Sequence, residues 1–468
     1  MKRLSRRTFL AASAAMTAAP ALGAPSQSID FDVVIVGAGS AGIAAARRIS
    51  AAGRSFRLIE AANRIGGRCI TDTATFGVPY DRGAHWIHMP ELNPLAKLAP
   101  KPEFDVYAAP NSQRLRVGRR NAREGELEEY LGVLVRSNRA IADAARGKTD
   151  INCADALPKD LRDWRPTVEF VLGPYGCGKD LREISAYDFA RSAERDVDAF
   201  CRQGFGALLG KLGAAVPATL ATPVTRIDTT DRLVVETEKG RLIARAVILT
   251  ASTNALLSGD IKFTPELPKR QLDALNQLKL GSYDHIALEL IGNPLGLQRD
   301  DLVFEKAEST RTAALLANIS GTSLATVEVA GKFGRDLSAQ GEQAMVAFAL
   351  DWLADLYGAD VKKAVKRTHA TRWNAEPFAR GAFSAASPGG QAARKTLMEP
   401  VRDRIWFAGE AMHETLWGTV GGAWESGVRA AEGVLRKMGA LKEPEDPRAK
   451  QSPNQSPKQP SKPPRKRL

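Results

Sequence analysis

Phe31 to Val36 is a short, nearly unbroken apolar run that ends in Gly37-Ala38-Gly39-Ser40-Ala41-Gly42. An alanine-rich segment, Ile43 to Ala52, follows before a stop at Gly53. An apolar run without alternation reads as a strand buried on both faces, so this opening predicts the strand, turn and helix of a parallel α/β sheet. Gly37 permits the tight turn, Gly39 lets the backbone approach a diphosphate, and Gly42 allows close packing of helix on strand. The helix N-terminus, carrying Ser40 and Ala41, then faces the phosphate charge. A second strand, Ser55 to Ile59, ends at Glu60, about 20 residues on, where a carboxylate accepts hydrogen bonds from a ribose. Strand, turn, helix and acid together predict dinucleotide binding.

At 468 residues the chain has material for two domains or three and for a large core. Its apolar share of 44% and charged share of 25% exclude collagen-like and wholly disordered chains. Cys69, Cys153, Cys177 and Cys201 form no C-x-x-C pair, so neither a zinc ribbon nor a disulfide scaffold is written here, and no metal site is expected. Of the formal charge of +13, residues 1 to 7 carry +4 and residues 442 to 468 carry +5. The body is left nearly balanced, which gives nucleic-acid recognition little electrostatic support.

The two ends read as signals or solvated chain. Ser5-Arg6-Arg7-Thr8-Phe9-Leu10, a mildly apolar stretch to Ala19 and small residues from Ala21 to Ala24 resemble a twin-arginine export signal over residues 1–24. That predicts a folded, cofactor-loaded passenger of the twin-arginine translocase and a periplasmic location. Residues 442–468 are rich in Pro, Lys, Ser and Gln and are expected to be a disordered basic tail.

Further motifs narrow the cofactor. Arg64-Ile65-Gly66-Gly67-Arg68 looks like the R-x-G-G-R segment of FAD enzymes. Arg404 to Glu410 reads as a strand entering a Gly409-Glu410 turn, and Gly418 to Ala431 as a helix start rich in small residues. Between these lie Gly204 to Leu208, Val224 to Ile227, a strand at Ala246 to Thr250, Ile261 to Pro268, and Trp373 through Gly389, similar to W-x7-G-x-Y/F-S-x4-G. In this order, over roughly residues 30 to 435, they resemble the flavin-containing amine oxidases.

The resemblance implies FAD, oxidation of a primary or secondary amine (polyamine or monoamine) to an imine, and hydrolysis to an aldehyde plus amine or ammonia. By it, Glu60 and Arg68 hold the adenosine and diphosphate end, Val224 the adenine, and Glu410 and Val420 the ribitol and ring region; Gly67, Ala84 and Gly409 join the cofactor-binding set. Trp373 packs near the flavin. Members that attach FAD covalently use a cysteine where this chain has Ala382, and no cysteine is expected nearby, so the cofactor is expected to be non-covalent. Phe383 is one half of an aromatic pair around the amine, and the other half falls on Thr419, so half of the pair is missing, with Trp417 or Trp424 as candidates to replace it. Gly83-Ala84-His85-Trp86-Ile87-His88 resembles the G-A-x-W-I-H segment of animal polyamine oxidases, which makes His88 a substrate contact. Met89 stands where the family commonly has glycine. His285 occupies the position of a lysine that most amine oxidases hold through water against flavin N5, which makes a periplasmic electron acceptor a rival to oxygen.

The expected architecture is α/β. A discontinuous Rossmann-like FAD-binding domain spans residues 30–95, 205–262 and 396–440, with an inserted α+β substrate domain over 96–204 and 263–395. Two other functions share the glycine motifs: an FAD-dependent desaturase of similar fold, and an inactive flavin-binding envelope protein.

Overall fold

The computed structural model describes residues 29–101, 103–110, 113–192 and 197–442, so the export signal and nearly all of the basic tail lie outside the described residues. Phe31–Val36 pairs in parallel with Phe56–Ile59 on one side and with Gly240–Leu249 on the other. Ala218–Thr219 extends this parallel layer beyond Phe56–Ile59, and Ile405–Phe407 joins it beside Gly240–Leu249. Leu233–Thr237 and Val224–Asp228 continue the sheet antiparallel, and Lys262–Thr264 closes its edge.

Both faces of the first strand are covered. Val33 and Ile35 share a core with the helices Ser40–Ala51 and Val420–Lys437, while Val34 and Val36 share another with Leu256, Leu275 and Leu397. This double burial is why the strand carries no polar alternation, and each fully buried Val or Ile contributes about 1.5–3 kcal/mol. The two helices approach closely because their contact is made of small residues: a Cβ on Gly427 would sit 2.1 Å from the carbonyl oxygen of Ala41.

The helix begins at Ser40 rather than Ile43, since the last glycine of the turn already belongs to it. The strand expected at Ala246 to Thr250 is ten residues long, Gly240–Leu249. Its first half pairs with Leu233–Thr237 as a hairpin, and its second half enters the parallel layer. A surface-facing hairpin half has a weaker apolar signature than a strand buried on both faces.

A second, seven-stranded sheet is mostly antiparallel, with Tyr283–Leu290 between Val365–Ala370 and Leu324–Ala330. Ile286, Leu288 and Leu290 pack with Trp352 and Leu353 of the helix Glu342–Tyr357. Period-two alternation therefore turns Tyr283 and His285 to the opposite face. A helical layer containing Glu124–Ala144, Arg165–Phe170 and Ala186–Arg191 encloses Tyr130, Trp164 and Phe170. A small three-stranded sheet sets Ile87–His88 against Asp198–Cys201, with Val106–Ala108 on its far side. The α/β architecture with an α+β substrate region stands as expected from the sequence.

Candidate active site

One cavity of about 720 Å³ runs from Glu60 and Val224, past Gly39 and Gly67, to His88, Tyr283 and Phe383. Its first part lies where the parallel strands Phe31–Val36 and Gly240–Leu249 end, the position at which open α/β sheets bind nucleotides. Gly37 has φ +102°, a left-handed conformation that an L side chain rarely adopts, and a Cβ on Gly42 would lie 1.8 Å from the Gly37 carbonyl oxygen. Both glycines are therefore required by the turn itself. Gly39 is bridged to Gly66, and a Cβ on Gly67 would be 3.4 Å from the Gly39 Cα.

The helix that starts at Ser40 has no side-chain cap and no acidic residue in its first turn. Ser40 Oγ donates to the Val420 carbonyl at 2.9 Å, which ties the two helix starts together. A helix N-terminus with backbone donors, set against a glycine pair and bordering an open cavity, fits a diphosphate.

Glu60 is buried, with Oε2 accepting from the Ala38 amide at 2.6 Å and Oε1 from the Ala62 amide at 2.8 Å. Each oxygen keeps acceptor capacity for a ribose hydroxyl. The family resemblance puts Arg68 at this same end. Arg68 borders the cavity, and its Nη1 donates to Glu410 at 3.0 Å and to the Ala382 carbonyl at 2.5 Å. Glu410 also accepts from Ser384 Oγ at 2.8 Å and from the Gly418 amide at 3.0 Å. Burial opposes its charge, but the Arg68 guanidinium and the Ser384 hydroxyl more than offset that, and the carboxyl is held below its ordinary range. Gly409, which precedes it, donates its amide to Ser426 at 2.8 Å. Ala41, Ala84, Val224 and Val420 all border the cavity as expected.

The far end is built of side chains. His285 is buried, and its Nδ1 lies 3.1 Å from the carbonyl oxygen of Asp81. That bond requires a proton on Nδ1, so the neutral ring carries its lone pair on Nε2. Trp373 donates from Nε1 to the Arg82 carbonyl at 2.9 Å, and a Cβ on Gly83 would be 2.9 Å from its ring, so the indole is held against the Gly83 backbone at the cavity wall. His88 pairs through Nδ1 with Asp198 Oδ1 at 2.7 Å, and both border the cavity. Met89, where glycine is common in the family, has φ +50°, so the left-handed conformation is kept although the side chain is not glycine.

Half of the aromatic pair is missing at Thr419, as expected, and the structure corrects the expectation that Trp417 or Trp424 replaces it. Thr419 borders the cavity, but its hydroxyl accepts from the Gly422 amide at 2.9 Å and donates to the Leu416 carbonyl at 2.7 Å, capping the helix Val420–Lys437. Trp417 lies under Arg394 and Trp424 beside Arg47, and neither lines the cavity. The ring that faces Phe383 is Tyr283, with centroids 5.9 Å apart. Its hydroxyl donates to the buried carboxylate of Glu328. Tyr175, on a single π-helical turn, adds a third ring 6.1 Å from Tyr283. Asp198, Tyr175 and Tyr283 carry no motif of their own in the sequence, whereas Ser384 is the serine of the Trp373–Gly389 segment; the pairing of strands 87–88 and 198–201 and the alternation along 283–290 are the signals that find Asp198 and Tyr283.

A second correction concerns cysteine. Cys69 borders the cavity, contrary to the expectation of none nearby. Its thiol is buried, and burial pushes its pKa well above the usual range, which leaves it a poor nucleophile.

Comparison with known proteins bears on the whole described body. The chain is 24% identical to human lysine-specific histone demethylase 2 over 460 residues, covering 88% of this chain and 54% of that protein. It is 26% identical to polyamine oxidase 2 of Arabidopsis thaliana over 447 residues, covering 87% and 90%. The chain spans about half the length of the demethylases it matches. Its fold is that of cyclohexylamine oxidase from Brevibacterium oxydans (TM-score 0.73, 21% identity, 88% of this chain and 100% of that one). It is also that of wild-type putrescine oxidase bound to putrescine (TM-score 0.73, 21% identity, 87% and 99%). The model of the flavin-containing amine oxidoreductases matches residues 40–435, and the chain belongs to that family.

Proposed function

We propose that this protein oxidises a primary or secondary amine to an imine that hydrolyses to an aldehyde, using non-covalently held FAD. One observation carries the reading: the glycine-lined diphosphate cradle and the His88, Tyr283, His285 and Phe383 chamber are two ends of a single cavity. When bound, the flavin supplies the two-electron acceptor for the carbon beside the amine nitrogen. Glu60 binds the ribose. Glu410, ionised and held by Arg68 and Ser384, shapes the middle of the site. Phe383 and Tyr283 give the amine an apolar passage that strips water from it, while Trp373, anchored on the Arg82 carbonyl, holds the cavity wall against Gly83. Ala382 and the inert Cys69 thiol support non-covalent binding, so acid precipitation should release the flavin.

His285 in the family's lysine position supports an electron acceptor other than oxygen, because an imidazole offers no permanent cation where oxygen must gain charge. Arg6-Arg7 supports twin-arginine export to the periplasm. The test is anaerobic: a panel of mono-, di- and polyamines is mixed with purified holoprotein and flavin bleaching is followed. Bleaching by at least one amine is expected. A flavin that no amine reduces, but that a desaturase substrate does, would replace this reading.

A further inference from the structure

We propose that the buried ion pair of Asp188 and Arg394 is a positioning device for the cofactor, aiming the Ser384 hydroxyl so that Glu410 stays ionised where it borders the cavity. The proposal rests on the FAD part of the amine-oxidising reading and goes beyond it by giving a role to two residues outside the cavity wall. Neither side chain has any exposed surface, and neither lines the cavity. Such a pair adds little to stability by itself, because taking two ions out of water offsets most of their attraction. Its significance lies in what it holds in place.

The pair joins two parts of the chain. Asp188 lies on the helix Ala186–Arg191 of the substrate region, and Arg394 on the helix Ala393–Met398. Arg394 meets the carboxylate as a fork, Nε to Oδ1 and Nη2 to Oδ2, both at 2.7 Å. A planar guanidinium held at two points leaves its third nitrogen a fixed direction. That nitrogen, Nη1, donates to the Ala411 carbonyl at 2.9 Å and to Ser384 Oγ at 3.2 Å. Asp188 Oδ2 also accepts from the Ala386 amide at 2.8 Å. One ion pair thus grips both the segment 384–386 and the turn Glu410–Met412.

A serine hydroxyl has a single proton. Ser384 Oγ presents a lone pair to the guanidinium and its proton to Glu410 Oε2 at 2.8 Å, and that oxygen also accepts from the Ser384 and Gly418 amides at 3.3 and 3.0 Å. Burial opposes charge on Glu410, and the Arg68 cation, the Ser384 hydroxyl and the Arg394 cation outweigh it. The remaining cation nearby is Lys179, whose Nζ donates to the Ala385 carbonyl at 2.7 Å. Burial lowers its pKa to about 8, so it stays mainly charged up to pH ~7. His413 follows the same turn and titrates in every variant alike. An ionised carboxylate is a stronger acceptor than a neutral one for the hydroxyls of a flavin's sugar chain, so holding the charge holds the cofactor.

The test follows release of flavin from holoprotein, read as the rise in flavin fluorescence on dilution at pH ~5.5 and ~7, each variant as a ratio to wild type. Ser384→Ala leaves the ion pair and removes only the hydroxyl. With that donor gone the Glu410 pKa rises, and release should quicken about tenfold at pH ~5.5 and little at pH ~7. Arg394→Lys keeps the cation but loses the fork and should share this acid-dependent signature. So should Asp188→Asn, which keeps an oxygen for the Ala386 amide. Joining Ser384→Ala to Arg394→Lys should add little, since both act through one hydrogen bond. In a Glu410→Gln background, where the side chain no longer titrates, neither change should quicken release further. If an ion-pair variant fails to fold, Asp188→Asn combined with Arg394→Met takes its place, because exchanging a whole buried pair is often tolerated. Release that quickens equally at both pH values would make the pair a structural prop, and unchanged release in Ser384→Ala would break the link to Glu410; either overturns the proposal. Wild-type protein that purifies without flavin, or whose flavin acid does not release, would instead overturn the non-covalent FAD reading, and this proposal with it.

Discussion

The two ends of the cavity are made of different material. The cofactor end is largely backbone: Gly37, Gly39, Gly42, Gly66 and Gly67 surround a helix N-terminus, and the acid Glu60 is tied to amides within the same stretch of chain. The substrate end is side chain, assembled from segments far apart in sequence, with His88 and Asp198 separated by 110 residues. A backbone site tolerates almost no added atom, because its shape is the main-chain path. A side-chain site tolerates exchange of one group for another, because strand pairing holds its walls. Substitution should therefore act on folding and cofactor at one end and on chemistry at the other.

The sharpest break is Gly42→Ala. Its Cβ would fall 1.8 Å from the Gly37 carbonyl oxygen, which forces the helix off the strand. A cost at the upper end of the ~1–3 kcal/mol of overpacking is expected, together with loss of flavin on purification. Flavin-to-protein ratio and thermal midpoint measure both, and a yellow protein of unchanged midpoint would show that the turn can yield.

His285→Lys examines the other end. It should leave flavin content intact and speed reoxidation by oxygen about tenfold, equivalent to ~1.4 kcal/mol of barrier, because it adds a permanent cation in a water-poor site. Stopped-flow mixing of reduced protein with oxygen reads this directly. Fast wild-type reoxidation that lysine does not improve would make oxygen the ordinary acceptor.

The smallest effect lies at the seam. His413 Nδ1 accepts from the amides of Thr415 and Leu416 at 3.3 and 2.9 Å, and its Nε2 bonds Glu425 at 3.0 Å, which requires the neutral ring. The chain then leads to Gly418, whose amide serves Glu410. Burial lowers the His413 pKa from 6.5, outweighing Glu425, which raises it. The folded state thus binds fewer protons than the unfolded one, so stability is full above pH 6.5 and declines as the pH falls from there toward the lowered value. Thermal midpoints between pH ~7.5 and ~5 should show that decline, and His413→Gln should flatten it. An equal slope in the variant would assign the titration elsewhere.

Much of the cofactor end is legible in the sequence because its signals are local: an unbroken apolar strand, glycines at fixed offsets and an acid at the end of the next strand. The substrate end is legible only in part, one residue at a time. His88, His285, Trp373, Phe383, Thr419 and Arg68 line the cavity, but that Tyr283 faces Phe383, that Arg68 bonds Glu410 and that Cys69 reaches the wall are seen only in the structure. No spacing along the chain reports which rings meet across two sheets.

Sequence alone determined the α/β class, the diphosphate turn, the acid at Glu60 and the order of segments that return to the first sheet. These depend on periodicity and on glycine geometry, which act over a few residues. Tertiary structure alone decided that Asp198 stands opposite His88, that Glu328 sits behind Tyr283, and that the Thr419 hydroxyl is spent on a helix cap. Those are consequences of strand register and helix ends meeting in space, and register is set by how whole sheets bury their faces.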